Sequence, residues 1–256
     1  LVKDNFLYIY HKKIAMSATT SKANYGIDAP GVVRNLFLAG LAIAIIPTFF
    51  PMMKIGSVDI DTGGLFWSAG GCTLGGILML VYSLYGKYKH RDRMLDLVSW
   101  TGNEQVLDIG TGKGLLMIGA AKRLTTGKAI GIDIWNAEDL TGNNVQNAIN
   151  NTIAEGVADK TQILNENAMD MSFADNSFDV ILTNMTLHNI YDKPGRKKAC
   201  AEIARVLKPG GIAIVADFRN VREYKSNFDE LGIPNKLYPA NYIGTFPPVS
   251  IVVVNK

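Results

Sequence analysis

Asp108-x-Gly110-x-Gly112-x-Gly114 follows directly on the apolar residues Val106, Leu107 and Ile109. Glycines at this spacing permit positive φ and carry no Cβ, so a ligand can lie against the backbone itself. A helix starting near Lys113 would then turn its free amides, with their partial positive charge, toward that ligand. The spacing excludes two common phosphate binders. A dinucleotide fingerprint needs a glycine where Leu115 stands, and no G-x-x-x-x-G-K-[S/T] run surrounds Lys113. An acid two positions before the first glycine suits a ligand with a cationic amino group better than a pyrophosphate.

A second acid, Asp133, ends the apolar run Lys128-Ala-Ile-Gly-Ile, 25 residues after Asp108. In nucleotide-binding α/β folds an acid near this offset bonds ribose hydroxyls. Ile134 and Trp135 follow it and could cover a flat ring, although Trp135 serves equally well as packing. His188, after Val180-Ile-Leu-Thr-Asn184, is the one histidine beyond the glycine turn and a candidate general base. A structural histidine bonded to backbone is the competing assignment.

Together these stretches resemble the class I S-adenosylmethionine (SAM)-dependent methyltransferases over residues 91 to about 255. Asn165 to Asp179 is similar to the family's G-D-A-x-x-L-P-F-x-D-x-S-F-D segment, with Asn167 where an aspartate is usual. Val180 to Ile190 is similar to its fourth strand and S-N-x-x-L-H-H exit loop. The resemblance implies SAM as cofactor, held by Asp108, Gly110, Thr111, Gly112 and Gly114 at its methionine end. It implies Asp133 and Ile134 at the ribose and adenine, Asn167 and the Ala168 N–H at the adenine edge, and Asn184 near the methionine part. The hairpin described below, with Ile132-Asp-Ile-Trp135 and Phe246-Pro-Pro248, resembles a group of membrane-associated methyltransferases. A small, lipophilic methyl acceptor is the corresponding expectation. A protein acceptor at the membrane and a non-catalytic SAM-binding scaffold are the alternatives, and formation of S-adenosylhomocysteine with membrane extract separates turnover from scaffolding.

The elements that position these residues read as a Rossmann-like α/β domain. Strands are expected at 104–109, 128–133, 161–165, 178–183, 211–217, 235–240 and 248–254, with helices at 113–124, 140–155, 196–207 and 221–231. Alternation of the two implies a mostly parallel seven-stranded sheet, its last strand antiparallel. Lys208-Pro-Gly-Gly211 reads as a helix stop and turn. An amphipathic helix over 91–100, with Met94, Leu95, Leu97 and Val98 apolar, is expected to cover the sheet edge or the cofactor site.

Upstream the chain changes character. Residues 36–53 are almost wholly apolar, with Pro47 and Pro51 as breakers, and residues 65–85 carry no charge. A membrane-spanning helix needs about 20 such residues. Small faces at Gly40-x-x-x-Ala44 and Gly71-x-x-x-Gly75 would let two helices pack closely. Arg34 on one side and Lys87, Lys89, Arg91 and Arg93 on the other place both ends in the cytosol and the 54–64 loop outside. The expected organisation is a flexible segment over 1–33, two membrane helices over 34–86 and a cytosolic methyltransferase domain over 87–256. Leu1 to Ala15 reads as an upstream extension, with Met16 a natural start.

The 256 residues carry a net charge of +3 and two cysteines. That balance, with no arginine-rich tail, gives no ground for nucleic-acid binding. Cys72 and Cys200 lack metal-ligand spacing and read as reduced.

Overall fold

The computed structural model describes residues 22–135 and 142–256. The expectations for Leu1 to Ala15 and for the start of the 140–155 helix lie outside the described residues. Helix α1 (Pro30–Phe49) and helix α2 (Leu65–Val81) pack as a hairpin, joined by the two-stranded turn β1 (Met52–Ile55) and β2 (Val58–Asp61). Pro30 opens α1 at its first turn, where no N–H is needed, so the helix starts ahead of the apolar run. Pro47 does not break it; the residue sits inside the last two turns and the helix ends at Phe49.

The hairpin's close approach is made by Gly40 and Gly76. A Cβ on Gly40 would meet Thr73 and the Ala69 carbonyl, and one on Gly76 would meet the Phe37 ring. The seam on α2 is therefore Ala69, Thr73 and Gly76; Gly71, expected there, faces open space. α1 and the continuous helix Leu65–Leu95 that begins with α2 are each long and apolar enough to cross a membrane, and only 17 % of each apolar stretch is buried.

α2 does not stop before the next element. It passes through a π-helical turn, Tyr82–Gly86, directly into α3 (Lys87–Leu95). The amphipathic helix expected over 91–100 thus lies earlier and is the continuation of α2. Its Leu95 and Arg91 side chains pack against Gly119 of the catalytic domain, and its His90 reaches Asn184 at the carboxyl edge of the sheet.

Residues 105–256 form the seven-stranded sheet: β3 (Gln105–Ile109), β4 (Lys128–Asp133), β5 (Thr161–Asn165), β6 (Phe178–Asn184), β7 (Leu207–Asp217), β8 (Asn235–Asn241) and β9 (Val249–Asn255). The order is β5-β4-β3-β6-β7-β9-β8, parallel except for β9, which runs antiparallel to both neighbours. Its helices are α4 (Leu115–Ala121), α5 (Val145–Ala154), α6 (Lys193–Val206) and α7 (Val221–Glu230). Strand side chains alternate between faces. Val106, Val180, Leu182, Ile214 and Ile251 join one core with α3 and α4. Leu107, Ile109, Ile181, Val215 and Val252 join the other with α6 and α7. Lys208-Pro-Gly-Gly211 ends α6 but stays extended, as an irregularity at the start of β7: Phe178 pairs with Leu207 and Val180 with Ile212.

Residues 22–29, expected to be loose, are packed onto the domain. Asn24 and Asn151 exchange two hydrogen bonds, N–H to Oδ1 at 2.8 Å and Nδ2 to carbonyl at 3.1 Å. Lys87 Nζ donates to the carbonyls of Tyr25 and Gly26 at 3.1 and 2.6 Å. A buried ammonium needs such partners, and these two carbonyls tie the strap to α3.

Candidate active site

The order of the parallel strands reverses at β3, where ligands of open α/β sheets bind outside the carboxyl ends. The glycine turn leaves β3 at this point. Gly110, Gly112 and Gly114 have φ of 71°, 52° and 84°, a region that disfavours any side chain. The Gly110 and Thr111 N–H groups donate to the Ile132 carbonyl at 2.8 and 3.0 Å, so the turn is sewn to β4. α4 begins at Leu115, two residues later than expected, because Gly114 occupies its left-handed cap.

Asp108 is buried beneath the turn. Its Oδ2 accepts from Thr111 Oγ1 at 2.8 Å and from the Met117 N–H at 2.9 Å. Its Oδ1 is enclosed without a hydrogen-bond partner. Burial, chiefly, pushes its pKa up to about 7; nearby Asp133 adds to this and the two hydrogen bonds oppose it. A folded-state pKa above the unfolded one means the native chain holds the extra proton, so stability falls as pH rises from about 4 to about 7. A cation beside Oδ1 would reverse that preference. S-adenosylhomocysteine, with its amino group, should therefore bind more tightly as pH rises through 7 and release up to one proton. Calorimetry of the whole chain in buffers of different ionisation enthalpy measures that release; none at pH 6.5 would remove Asp108 from the amino end.

Asp133 ends β4 with both oxygens occupied by amides: Gly112 N–H to Oδ2 at 2.8 Å and Trp135 N–H to Oδ1 at 2.7 Å. Each oxygen keeps a lone pair, and the residue is only partly buried. Ile134 beside it is largely exposed. Trp135 has a left-handed φ of 59°, as does Met185 after β6 at 51°, an uncommon backbone for such large residues at the ends of the two strands that flank β3. Asn167 is exposed, and its Oδ1 accepts from the Met169 N–H at 2.9 Å, an Asx turn that leaves a second lone pair outward. Ala168 is partly buried against the core.

Asn184, at the end of β6, is held from outside the domain's sheet. His90 Nε2 of α3 lies 3.1 Å from its Oδ1, and the buried Tyr82 side chain of the π-helical turn lies near it. No local pattern announced either partner.

His188 sits in the 3-10 turn Leu187–Asn189 after β6. Its Nδ1 lies 2.9 Å from Asp217 Oδ1 at the carboxyl end of β7, at ion-pair distance but off the axis of a regular hydrogen bond. The ring packs edge-on against Phe218, with centroids 4.6 Å apart. Asp217 is buried and accepts from the backbone N–H of His188 (3.2 Å) and of Phe218 (2.8 Å) and from Tyr224 Oη (3.3 Å). The imidazole is thus oriented by a fixed carboxylate. Asp217 was not among the expected site residues. Its signal, an acid ending an apolar strand, was the one that picked out Asp133.

Taken together, the sheet order, the glycine turn on β3 and the acid ending β4 give residues 105–256 the Rossmann-like fold of the class I SAM-dependent methyltransferases, a class whose cofactor is SAM. The family described as "Methyltransferase domain" matches residues 107–215. A ubiquinone/menaquinone biosynthesis C-methyltransferase of Dinoroseobacter shibae is 28 % identical over 165 residues, 64 % of this chain and 59 % of that protein. A demethylmenaquinone methyltransferase of Lactiplantibacillus plantarum is 33 % identical over 127 residues, 49 % of this chain and 50 % of the relative. The chain thus spans about half to three-fifths of these relatives' length. Among solved structures, a SAM-dependent methyltransferase from Aquifex aeolicus superposes with a TM-score of 0.52 at 19 % identity, covering 64 % of this chain and 88 % of that one. Geranyl diphosphate C-methyltransferase from Streptomyces coelicolor superposes with a TM-score of 0.54 at 13 % identity, covering 70 % and 82 %.

Proposed function

We propose that this protein is a methyltransferase anchored at a membrane by the α1–α2 hairpin, transferring a methyl group to a small lipophilic acceptor of the quinone or isoprenoid kind. The observation that carries it is the contact of His90 Nε2, on the continuation of α2, with Asn184 Oδ1 at the carboxyl edge of the sheet, 3.1 Å away. An apolar helix serving only as a tether would not need to end inside the site. The quinone methyltransferases among the relatives support the acceptor class.

The site's residues fit SAM. Enclosed Asp108 Oδ1 lacks a partner and suits the amino end; Asp133 offers outward lone pairs to the ribose hydroxyls, with Ile134 as apolar cover. Asn167 and Ala168 meet the adenine edge, and Asn184 lies near the methionine part. Bound SAM supplies an already activated methyl group on a sulfonium. What remains for the chain is positioning, exclusion of water and removal of one proton from the acceptor. His188 takes that proton at Nε2, and the resulting imidazolium is stabilised by Asp217, which also fixes the ring. An oriented base also speaks against a scaffold that only binds cofactor.

Asp133→Ala should weaken S-adenosylhomocysteine binding about 10- to 100-fold, the equivalent of ~1.5–3 kcal/mol for hydrogen bonds to a charged group. Calorimetry on the full chain in detergent tests it. Unchanged affinity in a folded variant would refute the ribose assignment.

A further inference from the structure

The apolar surface of the hairpin does not end with α2. Leu74, Ile77, Leu78 and Val81 are exposed along it, and Leu84 and Tyr85 continue the exposed line through the π-helical turn. That turn divides its residues: Leu84 and Tyr85 face outward, whereas Tyr82 faces inward toward Asn184. π-helical turns often mark functional positions because the extra residue redirects side chains.

Against this turn lies the loop between β8 and β9. A Cβ on Gly86 would come within 3.4 Å of the Gly244 carbonyl, so helix and loop meet backbone to backbone. The loop is built to hold its tip outward. Asn241 Oδ1 accepts from the Ile243 and Gly244 N–H groups at 3.3 and 2.9 Å. Thr245 Oγ1 donates to the Asn241 carbonyl at 2.7 Å and accepts from the Val249 N–H at 2.8 Å. At the tip, Tyr242 is 79 % and Ile243 fully exposed. A rigid loop that presents an isoleucine and a tyrosine beside an exposed leucine and tyrosine has the composition of a membrane-interface belt.

We propose that the Tyr242–Ile243 tip and the Leu84–Tyr85 turn form a bilayer-facing port, through which the acceptor reaches the site from the lipid rather than from water. This rests on the anchored-methyltransferase reading and adds to it where the acceptor enters. The partner surface is lipid because the patch is continuous with the bare face of α2.

The test uses the full chain with Cys72→Ala and Ile243→Cys, carrying a small environment-sensitive fluorophore, in phosphatidylcholine/phosphatidylglycerol vesicles. Buried Cys200 stays unlabelled. Nitroxide lipids with the spin label roughly 5–10 Å below the headgroups should quench position 243 strongly, and aqueous iodide weakly. Leu74→Cys serves as the anchor control. Lipid quenching at both positions supports the port. Lipid quenching at 74 with iodide quenching at 243 overturns the port and leaves the anchor intact. Iodide quenching at both overturns port and anchor together. Binding of S-adenosylhomocysteine by the same preparations reports separately on the cofactor assignment.

Discussion

Gly110→Ala should remove both cofactor binding and much of the domain's stability. The native φ of 71° costs an alanine about 1 kcal/mol, and its Cβ would overlap the Thr186 side chain. Thr186 cannot easily retreat, because it lies in the exit loop of β6 with its Oγ1 bonded to the Asn184 carbonyl. Overpacking of this kind costs a further ~1–3 kcal/mol. At roughly 2–4 °C per kcal/mol for a domain of this size, the midpoint should fall by about 4–16 °C. Gly210→Ala separates the two causes. Its φ is 81°, but nothing lies within 4 Å of the added Cβ, so it should cost only the backbone share and leave S-adenosylhomocysteine binding intact. Equal midpoints for the two variants would mean that Thr186 does not close on the turn.

His188→Ala should lower methyl transfer about 10²- to 10⁴-fold, the usual contribution of a positioned base, while S-adenosylhomocysteine affinity stays within about twofold. Turnover is read as S-adenosylhomocysteine formed by the full chain with membrane extract. Asp217→Asn should give a comparable loss by another route. An amide there turns an N–H toward groups that already donate, the backbone N–H of His188 and of Phe218 and the Tyr224 hydroxyl. The ring then loses its orientation. Rescue distinguishes this from simple damage: added imidazole should restore part of the turnover in His188→Ala and none in Asp217→Asn, where the ring is present but misdirected. Near-native turnover in a folded His188→Ala would place the base elsewhere.

Most of the sheet could be read from the residues alone. β4 and β5 run as expected, and the other strands begin or end within a residue or two, except β7, which starts four residues early. The cause is local. Period-2 apolar runs bounded by glycine and polar residues can bury themselves in only one way. The glycine turn and Asp133 were legible for the same reason, since positive φ and a strand-ending acid are properties of a few consecutive residues.

What depended on contacts between distant residues was not legible. Asp217 meets His188, His90 meets Asn184, and Asn24 meets Asn151 across long stretches of chain. The seam of the hairpin shifted from Gly71 to Gly76 because helix rotation is set by what packs opposite, here Phe37. The continuous run from α2 through the π-helical turn into α3 likewise follows from tertiary packing: Leu95 and Arg91 are held against Gly119 while His90 meets Asn184. Local spacing alone carries the methyltransferase-like sheet, its glycine turn and the two apolar helices, each a property of consecutive residues. Which carboxylate faces the histidine, and that the apolar helix reaches Asn184, emerge from the folded chain, because those pairings exist only once the strand ends are brought together.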